Sequence, residues 1–218
     1  MIAAAFETST RQPSVALRVG GEIHEERLSG SRAHASDLLP ALERLLLNCG
    51  RSVRDIELLV VGRGPGSFTG LRVAVATALG LARGSGASLF GLCSFEALCW
   101  RELSPGEEAA VVLDARGGEF YFAHYRRTDG ELEVLRAPCM AAPAQLTELI
   151  GGCSRVFCDA GVASAPDLLP PLGARLSLDL VPAASALLEL GLRRFAREGS
   201  HGIEALEPLY LRAFGVRH

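Results

Sequence analysis

Ile56-Glu57-Leu58-Leu59-Val60-Val61 runs directly into Gly62-Arg63-Gly64-Pro65-Gly66-Ser67-Phe68-Thr69-Gly70-Leu71-Arg72. Apart from Glu57 the first six residues are apolar, and they end on two β-branched valines, the pattern of a buried strand. The glycine-rich run ends the strand, and a long helix follows to about Arg83, where Gly84-Ser85-Gly86 stops it. A strand, a tight turn and a helix in that order form the βα unit of an α/β sheet. Two readings of the turn stand side by side. Gly64 and Gly66 flank Pro65 as in a tight turn, with Ser67 or Thr69 capping the helix. The same junction also points free N–H groups and a positive dipole end outward, which makes an anion site.

Working outward, residues 2–7 read as a buried strand closed by Thr8-Ser9-Thr10. Val15–Val19 is a second strand, Gly20-Gly21 is a two-residue hairpin signal, and Glu22–Leu28 is a third strand. Leu38, Leu39, Leu42, Leu45 and Leu46 recur at helical spacing, and Asn48-Cys49-Gly50 ends that helix. Ser88–Leu92 and Phe95–Arg101 add a strand and a helix. The second half begins in the same way. Strands are expected at 109–113, 120–125 and 132–137, with Asp129-Gly130 as a hairpin signal. A helix at 143–150, a strand at 155–158 and a helix at 182–197 follow. The order β-β-β-α-β-α therefore occurs twice, although the two halves share almost no sequence. Three antiparallel strands followed by βα units form a ribonuclease-H-like half, and two in tandem make the duplicated, actin-like α/β fold. The expected domains are 1–103 and 104–218, with a C-terminal tail that packs back on the first.

Composition narrows the chemistry. All 22 basic side chains are Arg and Lys is absent. A P-loop, a protein kinase and a Schiff-base enzyme each require a Lys. Arg binds phosphate well but does not serve as a base or nucleophile near neutral pH. At 49% hydrophobic and 22% charged the chain is an ordinary globular one, and a net charge of −3 gives no overall footprint for nucleic acid. The six cysteines form no CxxC pair and read as thiols in a reducing compartment. No signal segment and no apolar run of the ~20 residues needed to span a bilayer is present, so the expected location is the cytoplasm, off the membrane.

In the long helix, Arg72, Ala76, Gly80 and Arg83 share one face. Gly80 in mid-helix costs about 1 kcal/mol relative to Ala. Small residues four apart admit another helix, from this chain or from a second one, or close packing on the chain's own sheet.

The motif Gly64–Arg72 resembles the signature of the TsaB, or YeaZ, family of bacterial tRNA threonylcarbamoyladenosine biosynthesis proteins. Phe6-Glu7-Thr8-Ser9-Thr10 with Ser14-Val15-Ala16-Leu17 is similar to that family's opening strand pair. His34-Ala35-Ser36-Asp37-Leu38-Leu39-Pro40 is similar to the approach to its first helix, and Leu113–Tyr121 to the start of its second domain. Pro208-Leu209-Tyr210-Leu211-Arg212 is similar to its terminal motif. The resemblance spans nearly the whole chain and is weakest at 140–200. It implies a non-catalytic scaffold that pairs with the catalytic subunit TsaD, helps recruit the ATPase TsaE, and forms homodimers when the partner is absent. The complex transfers a threonylcarbamoyl group to the adenosine beside the anticodon of ANN-decoding tRNAs, and this chain would meet tRNA only through that complex. The partner interface implied by the resemblance is His34, Leu38, Leu42 and Leu45 of the first helix with Thr69, Arg72, Val73, Ala76, Thr77, Gly80 and Arg83 of the second.

One position departs from the family pattern. The opening strand usually ends in Asp-Thr-Ser, and here it ends in Glu7-Thr8-Ser9. In ATPases of this fold an acid at that turn handles metal-bound phosphate. The extra methylene moves the carboxylate, and Mg²⁺ demands strict geometry. Glu7, Thr8 and Ser9 are thus vestigial phosphate-loop candidates, with no catalytic residue, metal or cofactor expected. No two of His24, His34, His124, His201 and His218 are four apart, so the helical histidine pair of the catalytic relatives is missing. Gly66-Ser67-Phe68-Thr69-Gly70 only outlines a nucleophile elbow. The competing function is an ATP-dependent small-molecule kinase of the actin and hexokinase fold.

Overall fold

A computed structural model describes residues 1–28, 37–163, 175–202 and 206–211. The chain forms β1 (Ala3–Glu7), β2 (Ser14–Val19), β3 (Glu22–Arg27), α1 (Leu38–Asn48), β4 (Leu58–Gly62), α2 (Phe68–Ser85), β5 (Ser88–Leu92) and α3 (Ser94–Glu102). It continues with β6 (Glu108–Asp114), β7 (Phe120–Arg127), β8 (Leu132–Ala141), α4 (Pro143–Ile150), β9 (Arg155–Cys158), α5 (Ala160–Ala163), β10 (Arg175–Leu178) and α6 (Ala184–Glu198). The first sheet has the order β3-β2-β1-β4-β5, and the second, counted in the same sense, β8-β7-β6-β9-β10. In each, the first three strands are antiparallel and the last two join in parallel. The duplicated ribonuclease-H-like, actin-like α/β architecture is therefore visible in the strand order itself.

The first half ends on the fifth strand expected at Ser88–Leu92, and the second half also runs on to a fifth strand. In the second half that strand, β10, and the short α5 were not anticipated from the sequence. The helix expected at 182–197 consequently follows the fifth strand, not the fourth. It also does not pack on the second sheet. By compactness the chain divides into Met1–Leu98 with Pro182–Leu209, and Cys99–Val181 with Tyr210 and Leu211.

The first sheet is covered on both faces, which explains its small residues. Ala4, Phe6, Val15, Leu17, Leu59 and Val61 point to one face, under the buried sides of α1 and α2. The alternate residues of β1, β2 and β4 face α6. There Gly191 lies so close to β4 that a Cβ would sit 2.6 Å from Val60 Cγ1. The start of α6 is pinned from the sheet: Ala184 N–H donates to Ser14 Oγ at 2.8 Å, and Ser185 N–H and Oγ donate to the Glu25 carboxylate at 3.1 and 2.9 Å. A carboxylate at a helix N-terminus is favoured by the helix dipole. Farther along, Arg194 pairs with Glu96 of α3 at 2.9 Å, both largely buried.

In the second unit Ala110, Val112, Phe122, Leu146, Ile150 and Val156 form the core under α4. The six thiols are free, and Cys99, Cys153 and Cys158 are buried. Burial pushes the Cys158 thiol up to about 11 and also raises Cys153. A thiol in that state carries almost no thiolate at pH 8, and the thiolate is the nucleophile. Native protein treated with iodoacetamide at pH 8 is expected to leave Cys153 and Cys158 unmodified by mass spectrometry, and denatured protein to be alkylated at both. Equal labelling in the two states would contradict this placement.

Candidate functional site

The glycine run after β4 is locked to the turn after β1. Thr8 Oγ1 donates to the Gly70 carbonyl at 2.8 Å, and Ser67 N–H donates to the Ser9 carbonyl at 2.7 Å. A methyl group on Gly66 would run into the Ser9 carbonyl oxygen, and one on Gly70 into that of Thr8. Gly64 has φ +89°, and its neighbour across the loop, Leu71 Cδ1, lies 2.7 Å from where a Cβ would be. Ser67 caps α2, accepting from Gly70 N–H at 3.2 Å, while Leu71 N–H donates to the Ser67 carbonyl. Gly64 N–H donates to Ser94 Oγ at 3.2 Å, and Ser94 N–H to the Gly64 carbonyl at 2.9 Å. These glycines admit the chain's own backbone at close range, and the helix-start N–H groups named here are spent on the chain itself. Of the two readings of the turn, the structural one describes this geometry.

Glu7, Thr8 and Ser9 are all buried within this arrangement. Glu7 Oε1 accepts from Ser9 N–H at 2.7 Å, whereas Oε2 and Ser9 Oγ are buried without a hydrogen-bond partner. A Cβ on Gly62 would run into Glu7 Oε2, so any larger residue there would displace the carboxylate. Burial pushes the Glu7 carboxyl above its ordinary value, and the nearby Ser9 and Ser94 hydroxyls and the Ser9 and Thr8 N–H groups only partly oppose it. A carboxyl raised on folding favours the folded state in acid. That contribution is lost as pH climbs from the unfolded value near 4.5 through the raised folded one. Glu7→Gln keeps the shape and removes the ionisation. It is expected to melt with wild type near pH 4.5 and at a higher temperature than wild type at pH 8. A gap that does not widen with pH would count against this. Among the described residues no three His, Cys, Asp or Glu side chains gather as metal ligands.

The helix faces sort the expected interface residues into two groups. Leu38, Leu42 and Leu45 are buried in the chain's own core, beneath α1, and cannot also meet a partner. The outward face of α1 instead carries Leu39, 44% exposed, and Leu47, 74% exposed, with Glu43 and Arg44 between them. Arg44 is paired with Glu26. Sequence spacing alone put Leu39 on the inner stripe; the two-sided distribution of leucines, at 39 and 47, was the available signal. On α2, Thr69, Arg72, Ala76, Gly80 and Arg83 are exposed, and Val73 and Thr77 half-buried beside them. Arg72 lies over the Phe68 ring at 3.7 Å. Among the described residues a Cβ on Gly80 would meet nothing within 4 Å, so packing on the chain's own sheet does not explain this glycine. α1 covers β2 and β3 while α2 covers β1, β4 and β5, so the two outward faces lie side by side on one layer. His34 falls outside the described residues. Arg63, beside this surface in sequence, turns inward: its Nε donates to the Glu207 carbonyl at 2.9 Å.

Among the described residues no helix is long and apolar enough to cross a membrane. Residues 14–155 match the family profile described as TsaD, tRNA N6-adenosine threonylcarbamoyltransferase. The tRNA threonylcarbamoyladenosine biosynthesis protein TsaB of Escherichia coli K12 is 32% identical over 219 residues, covering 95% of this chain and 93% of that protein. The TsaB protein of Haemophilus influenzae is 36% identical over 125 residues, 56% of this chain and 53% of that one. Among solved structures, YeaZ from Pseudomonas aeruginosa superimposes with a TM-score of 0.83 at 28% identity, covering 96% of this chain and 99% of the other. This chain thus belongs to the TsaB (YeaZ) family and to the biosynthesis of threonylcarbamoyladenosine in tRNA.

Proposed function

We propose that this chain is a non-catalytic scaffold subunit of the threonylcarbamoyl-transfer complex, which binds and positions a catalytic subunit of the TsaD kind through the outward faces of α1 and α2. The observation that carries the reading is Gly80. It weakens an exposed helix by about 1 kcal/mol, and among the described residues no atom of its own unit requires it. A partner helix packed against Thr69, Ala76 and Gly80 does require it, because small residues let backbones approach. Leu39 and Leu47 add exposed apolar area to the same layer. The same surface serves a second copy when the catalytic subunit is absent, and the assembled pair offers the platform on which the ATPase TsaE joins. The cytoplasm, where tRNA is modified, is the proposed location.

Glu7 supports the assignment of chemistry to the partner. Its carboxylate is enclosed by the chain's own Ser9, Gly62 and Ser94. A kinase of this fold needs that acid to face Mg²⁺ and phosphate. Isothermal titration of the isolated chain with Mg-ATP is expected to show no stoichiometric binding and no steady hydrolysis. Co-expression with the catalytic subunit is expected to yield a complex that survives purification. Strong nucleotide binding with turnover by this chain alone would reverse the assignment in favour of the kinase-like enzyme.

A further inference from the structure

Strand β5 is an edge of the first sheet, and its outward N–H groups are met by the segment after α6. Gly91 N–H donates to His201 Nδ1 at 3.1 Å, and Leu89 N–H donates to Ser200 Oγ at 3.4 Å. In return His201 N–H donates to the Leu89 carbonyl at 2.8 Å. The His201 ring stacks on Phe90, with centroids 3.9 Å apart and planes at 21°. Phe90 in turn meets Phe195 of α6 edge-on. A second anchor lies farther along: Leu206 is fully buried in the core, and Leu209 N–H donates to the Arg63 carbonyl at 2.7 Å. Arg63 N–H is itself bonded to the Leu92 carbonyl. An uncovered edge of this kind is a template for pairing with other chains, and proteins manage it by covering or charging it.

We propose that His201 is a proton-gated latch, which holds the segment after α6 on edge strand β5 when its imidazole is neutral and releases that edge when the imidazole is protonated. The chemistry follows from one atom. Nδ1 accepts from Gly91, so it carries no proton in the latched state and the tautomer is Nε2–H. Protonating Nδ1 turns an N–H···N bond into two N–H groups face to face. Among the described residues the charged groups around the ring are few. β5, Ser88–Leu92, contributes none, α6 contributes Glu198, and the loop before α2 contributes Arg63. Burial lowers the imidazole below its usual value, Glu198 opposes that and Arg63 reinforces it. For a histidine lowered on folding, the stabilisation is complete above pH 6.5 and is lost as pH falls through the lower folded value. Because Arg63 bonds both Leu92 and Leu209, the latched segment and the loop that opens α2 share one anchor. An open latch leaves β5 able to accept an extended strand from a second chain.

The test is hydrogen exchange of the Leu89 and Gly91 amides, expressed as protection factors between pH 5 and 8, alongside a ¹⁵N titration of His201. The neutral ring is expected as the Nε2–H tautomer. Both protection factors are expected to fall at least ~10-fold on acidification, with the midpoint of the His201 titration. His201→Asn places an untitratable acceptor near the same position, and its protection factors are expected to stay level over that range. An Nδ1–H tautomer at neutral pH, or the same acid loss in His201→Asn, would overturn the latch. The tautomer is read on wild-type protein, so the outcome does not depend on a variant folding.

Discussion

Replacing Gly80 by Trp is expected to weaken association with the catalytic subunit by at least ~100-fold, about 2.8 kcal/mol, while leaving the isolated chain folded. Within the chain the site is open, because a Cβ at Gly80 meets nothing within 4 Å. Exposed positions of this kind tolerate substitution to within about 0.5 kcal/mol, and removing a mid-helix glycine recovers some helix propensity. In the proposed complex the same position would lie where a partner backbone approaches, and an indole there would force the helices apart along the stripe from Thr69 to Arg83. Ala76→Trp, one turn earlier on the exposed face, is expected to act in the same direction. Gly80→Ala supplies the graded control. It should raise the melting temperature of the free chain and weaken the complex less than Trp does. Affinity measured by calorimetry, with circular dichroism of each free variant, separates the effects. Undiminished affinity in both Trp variants would move the interface off this face.

The second large effect is expected at Gly70. Gly70→Ala places a methyl group against the Thr8 carbonyl oxygen, which belongs to backbone and cannot swing aside. Relief requires parting the β1 turn from the start of α2, with loss of the Thr8–Gly70 hydrogen bond and disturbance of the Ser67 cap. Steric conflict plus a buried unsatisfied carbonyl amounts to roughly 3–5 kcal/mol, a large share of the stability of a small protein. Gly66→Ala is expected to behave alike against the Ser9 carbonyl. Urea unfolding of the purified variants checks this, and a midpoint unchanged from wild type would show that the two turns are not locked. Gly80→Ala is the contrast: the same chemical change at an open site, with the opposite sign.

These contrasts mark what was legible in the residues. The Gly20-Gly21 hairpin, the alternation in β2 and the strand–turn–helix at Leu58–Arg72 follow from local periodicity and turn chemistry, and local rules suffice for them. Ala3-Ala4-Ala5 reads as a strand for the same reason. The destination of α6 was not legible. Its buried residues are Ala184, Ala186, Leu187, Leu188, Leu190 and Gly191, a face of small and medium side chains that would fit either sheet. Long-range contacts show which sheet it serves: Gly191 against Val60, Ala184 on Ser14 and Ser185 on Glu25. Strand β10 was missed because Arg-Leu-Ser-Leu is four residues long with Leu176 and Leu178 exposed, too little pattern to stand apart from loop. At the site, the glycine run was visible at once but its purpose was not. A pattern that lets a phosphate approach a backbone also lets a second backbone approach it. The Thr8 and Ser9 carbonyls decide between the two, and they lie some sixty residues away in the chain.

The same reasoning separates α1 from α2 as interface elements. A leucine stripe predicts burial, and burial removes Leu38, Leu42 and Leu45 from any partner surface. What remains outward, Leu39 and Leu47, matters because it is unexplained by the chain's own packing. That criterion also selects Gly80.

The proposed division of labour, binding by this chain and chemistry by its partner, can be measured in one assay. The most direct measurement is threonylcarbamoyl transfer to tRNA in a reconstituted mixture, first with this chain withheld, then with it added in steps, and finally with the catalytic subunit withheld. Expected are a rate that rises with added chain and saturates at a fixed ratio to the catalytic subunit, a far smaller rise when the Gly80→Trp chain is added instead at the same concentrations, and no transfer by this chain alone. Transfer by this chain without the catalytic subunit, or a rate indifferent to its presence, would contradict it.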